Sequence, residues 1–196
     1  MKNLRRLFLS FLTSAALLAC AEKPSFSSTD ITGASIGTAT WTLNDAQGKP
    51  RGLADFKGKV VVMFFGFTRC PDVCPTTMVD FAAALKLMGN DAAKVQVLFA
   101  TLDPERDTFP DLHAYTTAFN PSFIALRGDA SATKIAADAF KVFFAKSMGK
   151  DGKPDNYSLD HTAASYVFDA QGQIRLYVRH GQSAQAMAKD LQTLLK

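Results

Sequence analysis

The 196-residue chain is 47% hydrophobic and carries 16 phenylalanines, enough for one domain with a sizeable core, while its glycine and proline content is too low for a disordered protein. Its formal charge of +4 overstates its basicity. Without Lys2, Arg5 and Arg6, which sit in a leader-like segment, 19 basic residues face 18 acidic ones and no basic stripe remains. That balance excludes nucleic acid as a partner.

In chain order, Lys2, Arg5 and Arg6 form a positive region ahead of a 13-residue apolar stretch, residues 7–19. The stretch is too short to span a bilayer comfortably and has the form of a secretory signal. It ends in Leu17-Leu18-Ala19-Cys20, which resembles a bacterial lipobox apart from Leu18, where a small residue is usual. Residues 1–19 therefore read as a lipoprotein signal peptide. Cys20 reads as a lipidated N-terminus that anchors an exported protein to a bacterial membrane, facing the periplasm. The competing reading is an ordinary signal peptide with Cys20 as a spare thiol. The cysteine count favours acylation, because three cysteines in an exported protein leave an odd thiol unless one is modified. Residues 20–35 are polar, Ser-rich at 25–28 and interrupted by Pro24, so they read as the lipidated end and a flexible tether.

Residues 36–196 read as one domain. Alternating Thr and Trp over 38–43 predict a strand, closed by a turn at 44–48. Residues 60–65 are continuously apolar, as in a strand buried on both faces. Pro75 suits the first turn of a helix; Met78, Phe81, Ala82, Leu85 and Met88 keep helical spacing until Gly89 ends it. A second central strand is expected at 95–101. A helix capped by Thr108 with Asp111 should run to Phe119, then a strand at 123–126 and a helix at 131–140. Residues 147–158 hold Gly149, Gly152 and Pro154 among charges and read as an exposed, mobile loop. Strands at 164–168 and 174–178 flank a hairpin turn, and an amphipathic helix over 184–195 closes the chain. This order gives an α/β, thioredoxin-like fold, with a central mixed sheet flanked by helices.

The chemistry concentrates in Cys70-Pro71-Asp72-Val73-Cys74-Pro75, which follows the first central strand. If Cys74 starts the helix, the spacing puts both sulfurs on one side of its first turn. The helix N-terminus and Arg69 favour the thiolate, which binds soft metals or attacks disulfides. An inert structural disulfide is the bland alternative, and so short a loop gains little from closure. Far downstream, His161 precedes a strand that a thioredoxin-like fold returns beside the cysteine turn. Two thiolates and an imidazole suit copper, Cu(I) or Cu(II), with one ion per chain. A structural zinc site normally takes a fourth ligand, and none is obvious. Asp72 and Asp160 flank the ligands and are candidates to tune charge or bond the histidine; Asp103 is expected at the level of the cysteine turn. Arg106 and Asp107 read as loop-fixing and capping residues, His113 and His180 as bystanders. Trp41, Phe65 and Phe67 read as core, with Phe67 a possible wall of the site.

Three motifs in order, CPDVCP, Asp103-Pro104-Glu105-Arg106-Asp107-Thr108 and Asp160-His161-Thr162, resemble the Sco/SenC family over about residues 36–196. The resemblance implies a membrane-anchored, thioredoxin-like copper chaperone that assembles the CuA centre of cytochrome c oxidase subunit II. It implies Cys70, Cys74 and His161 as copper ligands, a periplasmic copper donor, and a thiol reductant for the redox-active cysteine pair. Many relatives use a transmembrane helix, where this chain shows a lipobox. The alternative is a thiol–disulfide reductase acting on the cysteines of the oxidase subunit or another exported protein; CxxxC in place of CxxC argues against a general oxidoreductase. A peroxiredoxin-like peroxidase draws slight support from Thr68 but leaves Cys74 and His161 without a role.

Overall fold

A computed structural model describes residues 24–149, 153 and 156–196. The expected signal peptide and Cys20 lie outside the described residues. The described chain runs β1 (Thr29–Asp30), β2 (Leu43–Asn44), β3 (Pro50–Arg51), β4 (Val60–Gly66), α1 (Val73–Met88), β5 (Val95–Thr101), α2 (Phe109–Phe119), β6 (Ile124–Leu126), α3 (Ala130–Ala139), β7 (Phe144–Met148), β8 (Tyr157–His161), β9 (Ala164–Phe168), β10 (Ile174–Arg179) and α4 (Ala184–Leu194). Six strands form one mixed sheet in the order β1-β10-β9-β4-β5-β6. β4 runs parallel to β5, from Val60 opposite Val95 to Gly66 opposite Thr101, and antiparallel to β9.

The apolar runs explain the centre of that sheet. Every residue of β4 and β5 is buried, so both faces must be covered. Successive side chains of β4 point to opposite faces. Phe65 meets Phe140 after α3, ring centroids 5.0 Å apart, whereas Phe64 meets Phe99 at 6.0 Å on the side of α1. Trp41 joins Phe140 edge-on at 5.7 Å and belongs to the core, as expected. α1 packs on α4 and α2. α2 starts where expected, with Thr108 Oγ1 accepting from the Asp111 amide. The fold is α/β and thioredoxin-like in layout, a mixed sheet between helices.

Three expectations are corrected. Residues 38–42 are not a strand: only Leu43–Asn44 pairs, with Pro50–Arg51. The Thr/Trp alternation marks which side chains are buried, Trp41 and Leu43 against exposed Thr40 and Thr42, and says nothing of backbone partners. Residues 147–158 are not wholly loop, because Ser147 pairs with Ser158 and Met148 with Tyr157 in the β7–β8 hairpin. Tyr157 and Leu159 are buried between exposed Ser158 and Asp160, a strand pattern that the neighbouring glycines and charges obscure. The expected tether is docked from Ser27 on. The amides of Ser27 and Ser28 both donate to the buried Asp190 carboxylate of α4 at 2.8 Å, and β1 pairs with β10. No helix among the described residues is long and apolar enough to cross a membrane.

Candidate metal centre

Cys74 lies in the first turn of α1, fully buried, and Cys70 lies half-buried in the turn before that helix. Neither sulfur is in a disulfide. They are therefore not neighbours on one helical turn. The link is that the Cys74 amide, at the start of α1, donates to Cys70 Sγ at 3.4 Å. Gly66 makes the approach possible. A Cβ at that position would sit 2.7 Å from Cys74 Sγ, well inside van der Waals contact.

His161 arrives from the end of β8. Its Nε2 is 3.5 Å from Cys74 Sγ, and its Nδ1 lies 3.0 Å from the Thr162 carbonyl oxygen. The Thr162 carbonyl thus anchors Nδ1 and leaves Nε2 turned toward the sulfurs. The ring is held between Phe64 and Phe67, whose centroids are 6.2 and 5.9 Å away in edge-on contacts. Phe67 thus walls the site. One ligand atom from each of Cys70, Cys74 and His161 lies within 4.8 Å of the others. Among the described residues no further His, Cys, Asp or Glu joins that group.

The two thiols are electrostatically unequal. The hydrogen bond from Cys74 brings Cys70 down to about 5, against the opposing effect of burial and with help from the amides of Cys74 and Asp72 and from His161. That same bond, with burial, pushes Cys74 far above the ordinary thiol range. The metal-free pair holds one proton between two sulfurs, and Cys70 is the thiolate. Arg69 is exposed and is not among the principal causes; the Cys74 thiol leads, and the amides of Cys74 and Asp72 add to it.

The other sequence candidates fall in different places. Asp72 is the exposed N-cap of α1, with Thr76 Oγ1 at 3.4 Å from its carboxylate. Asp103 is buried, but its oxygens are taken by Arg106 and by the Tyr157 hydroxyl at 2.7 Å. Asp160 is exposed, on the opposite face of β8 from His161, and does not bond the imidazole. His113 is exposed on α2, and His180 Nδ1 pairs with Thr77 Oγ1 at 3.1 Å.

Sequence reasoning missed how the site is supported. Asp107 does not cap a helix. It accepts from the Thr68 amide at 3.1 Å, the Thr68 hydroxyl at 2.6 Å and the Thr101 hydroxyl, tying the cysteine turn to the end of β5. Burial raises its carboxyl, although these three bonds oppose the shift. The Thr162 carbonyl and Gly66 were also unsuspected. A glycine between an apolar strand and a cysteine turn was the one local signal available.

A sequence profile of the SCO1/SenC family matches residues 29–196. A SCO2-like protein of Rickettsia felis is 37% identical over 138 residues, which are 70% of this chain and 65% of that relative's length. The apo Sco1 protein of Thermus thermophilus superposes with a TM-score of 0.77 at 37% identity, over 87% of this chain and 97% of that one. The copper-bound ScoI of Bradyrhizobium japonicum gives 0.71 at 35% identity, over 79% and 96%. By the profile match over most of its length, and by relatives this similar in sequence and fold, the chain belongs to the SCO1/SenC family.

Proposed function

We propose that this protein binds one copper ion through Cys70, Cys74 and His161 and carries it as cargo to the CuA site of cytochrome c oxidase subunit II. The observation that carries the reading is the cluster itself: two sulfurs and an imidazole within 4.8 Å, with no carboxylate among them. Thiolates select soft metals and imidazole tolerates both copper oxidation states, so the donor set fits copper. Two of the three ligands are only half-buried, and one of these sits on a hairpin outside the central sheet. An acceptor's ligands can therefore replace them one at a time. A periplasmic copper donor and a thiol reductant complete the proposed cycle. Lipid on Cys20 would hold the domain at the membrane.

The test is copper content and absorption of the reduced domain, wild type beside His161→Ala. The expected result is one copper per chain and a thiolate-to-Cu(II) band that weakens in the variant. Affinity should fall by more than the ~10–100-fold typical of residues that only support a ligand. A variant that retains copper like the wild type contradicts the assignment.

A second reading, thiol–disulfide reductase, has one specific support: Cys70 is a thiolate at neutral pH and half-exposed. Its sulfur would attack a substrate disulfide and release one substrate thiolate. Cys74 would then displace the other, leaving a reduced substrate and a Cys70–Cys74 disulfide that an external thiol reductant resets. His161→Ala should leave this activity intact and remove tight copper binding.

A further inference from the structure

The imidazole and the two sulfurs reach the site on separate pieces of chain. His161 belongs to β7–β8, a two-stranded sheet that shares no ladder with the six-stranded one, and the cysteines belong to the β4–α1 connection. Residues 103–107, the turn after β5, bind both.

On the hairpin side, the Tyr157 hydroxyl donates to Asp103 Oδ1 at 2.7 Å. Arg106 Nη1 donates to the Tyr157 carbonyl at 2.8 Å, and its guanidinium carbon lies 3.5 Å from the centroid of the Tyr157 ring. Arg106 is itself paired to Asp103, and these side chains are 10% and 1% exposed. A nearly dry, charge-assisted cluster of this kind fixes geometry. The neighbouring Lys146–Glu105 pair, 2.7 Å but exposed, adds little. On the cysteine side, Asp107 accepts from the amide and the hydroxyl of Thr68, two residues before Cys70. The turn is closed on itself by the Asp107 amide donating to the Asp103 carbonyl at 2.9 Å. From outside, Arg127 braces it, donating to the carbonyls of Asp107 and Pro104 at 2.9 and 2.8 Å.

We propose that this turn is the jig that sets the distance between the imidazole and the sulfurs, with Arg106 and Asp107 as positioning residues. Arg106 places His161 through Tyr157, and Asp107 places Cys70 through Thr68. The inference rests on the metal-site reading above and assigns that site its geometry-setting element. Arg106 bonds the hairpin, and the six-stranded sheet keeps its ladders when that contact is lost. Its loss should therefore move the histidine and leave the cysteine turn in place.

Two variants test this: Arg106→Lys, which keeps the charge and loses the fork and the stack, and Tyr157→Phe, which loses only the hydroxyl. Copper affinity is measured for each by competition with a Cu(I) chelator, in the wild-type and His161→Ala backgrounds. Arg106→Lys is expected to weaken copper retention ~10–100-fold, Tyr157→Phe less, with the Cys70 alkylation rate unchanged. Both losses should vanish when His161 is absent, since no imidazole is left to misplace. Equal losses in the two backgrounds, or none in either variant, overturn the proposal. Hydrogen exchange of the β8 amides in the metal-free protein decides it independently of copper. Faster exchange in Arg106→Lys, confined to the hairpin, supports the jig, and unchanged exchange sinks it. Should the wild type retain no copper, the proposed function falls while the exchange result still stands.

Discussion

The inequality of the two sulfurs governs what the metal-free site does. Cys74 is buried beneath Gly66 and holds the proton, while Cys70 is half-exposed and receives its bond. Because Cys70 is lowered to about 5, it is a thiolate throughout the neutral range, and its reactivity should decline only as pH falls through about 5. Cys74, shifted the other way, should not react ahead of Cys70. Alkylation of the reduced protein followed by mass spectrometry from pH 4 to 9 checks both, and a midpoint in the ordinary thiol range, about 8–9, contradicts the account. Gly66 gives the second prediction at this scale. Gly66→Ala places a methyl 2.7 Å from Cys74 Sγ and 3.0 Å from Phe99. The overpacking should cost about 1–3 kcal/mol in a denaturant titration and impair copper retention. A variant as stable as the wild type would show that the strand and helix can part without loss.

Among the elements, those whose side-chain pattern and backbone partners agree were legible. β4, β5 and α2 fall within a residue of their expected bounds because an unbroken apolar run and a capped helix are local statements. The 38–42 stretch failed because burial there is not accompanied by pairing, and the hairpin was half-hidden by its glycines. Within the site, the three clustered side chains were read from residue type and order, and the structure brings them together. Their supports were not readable. The Thr68–Asp107 bonds cross 39 positions, and Tyr157–Asp103 crosses 54, with no periodicity to announce them. The docking of the N-terminal segment on α4 was hidden in the same way. The Asp190 carboxylate, 1% exposed, also accepts from the Ser28 hydroxyl and from Gln182. Asp190→Ala leaves two backbone amides without their acceptor and should cost about 1–3 kcal/mol, with faster proteolysis of residues 24–30. A proteolysis pattern like that of the wild type would mean that the β1–β10 ladder alone holds this segment.

For the whole molecule, that docking limits reach. With the proposed lipid on Cys20, residues 21–26 alone link anchor to domain, about 20 Å when fully extended. The site would then meet partners that approach close to the membrane. The family follows from the match over residues 29–196; the cargo, its destination and the anchor are the proposed parts. The central claim is the ligand set, and the most direct measurement is X-ray absorption at the copper edge of the loaded protein. The account predicts two sulfurs and one imidazole nitrogen per copper, with only the nitrogen lost in His161→Ala. A copper shell of nitrogen and oxygen alone, or one unchanged by removing His161, would contradict it.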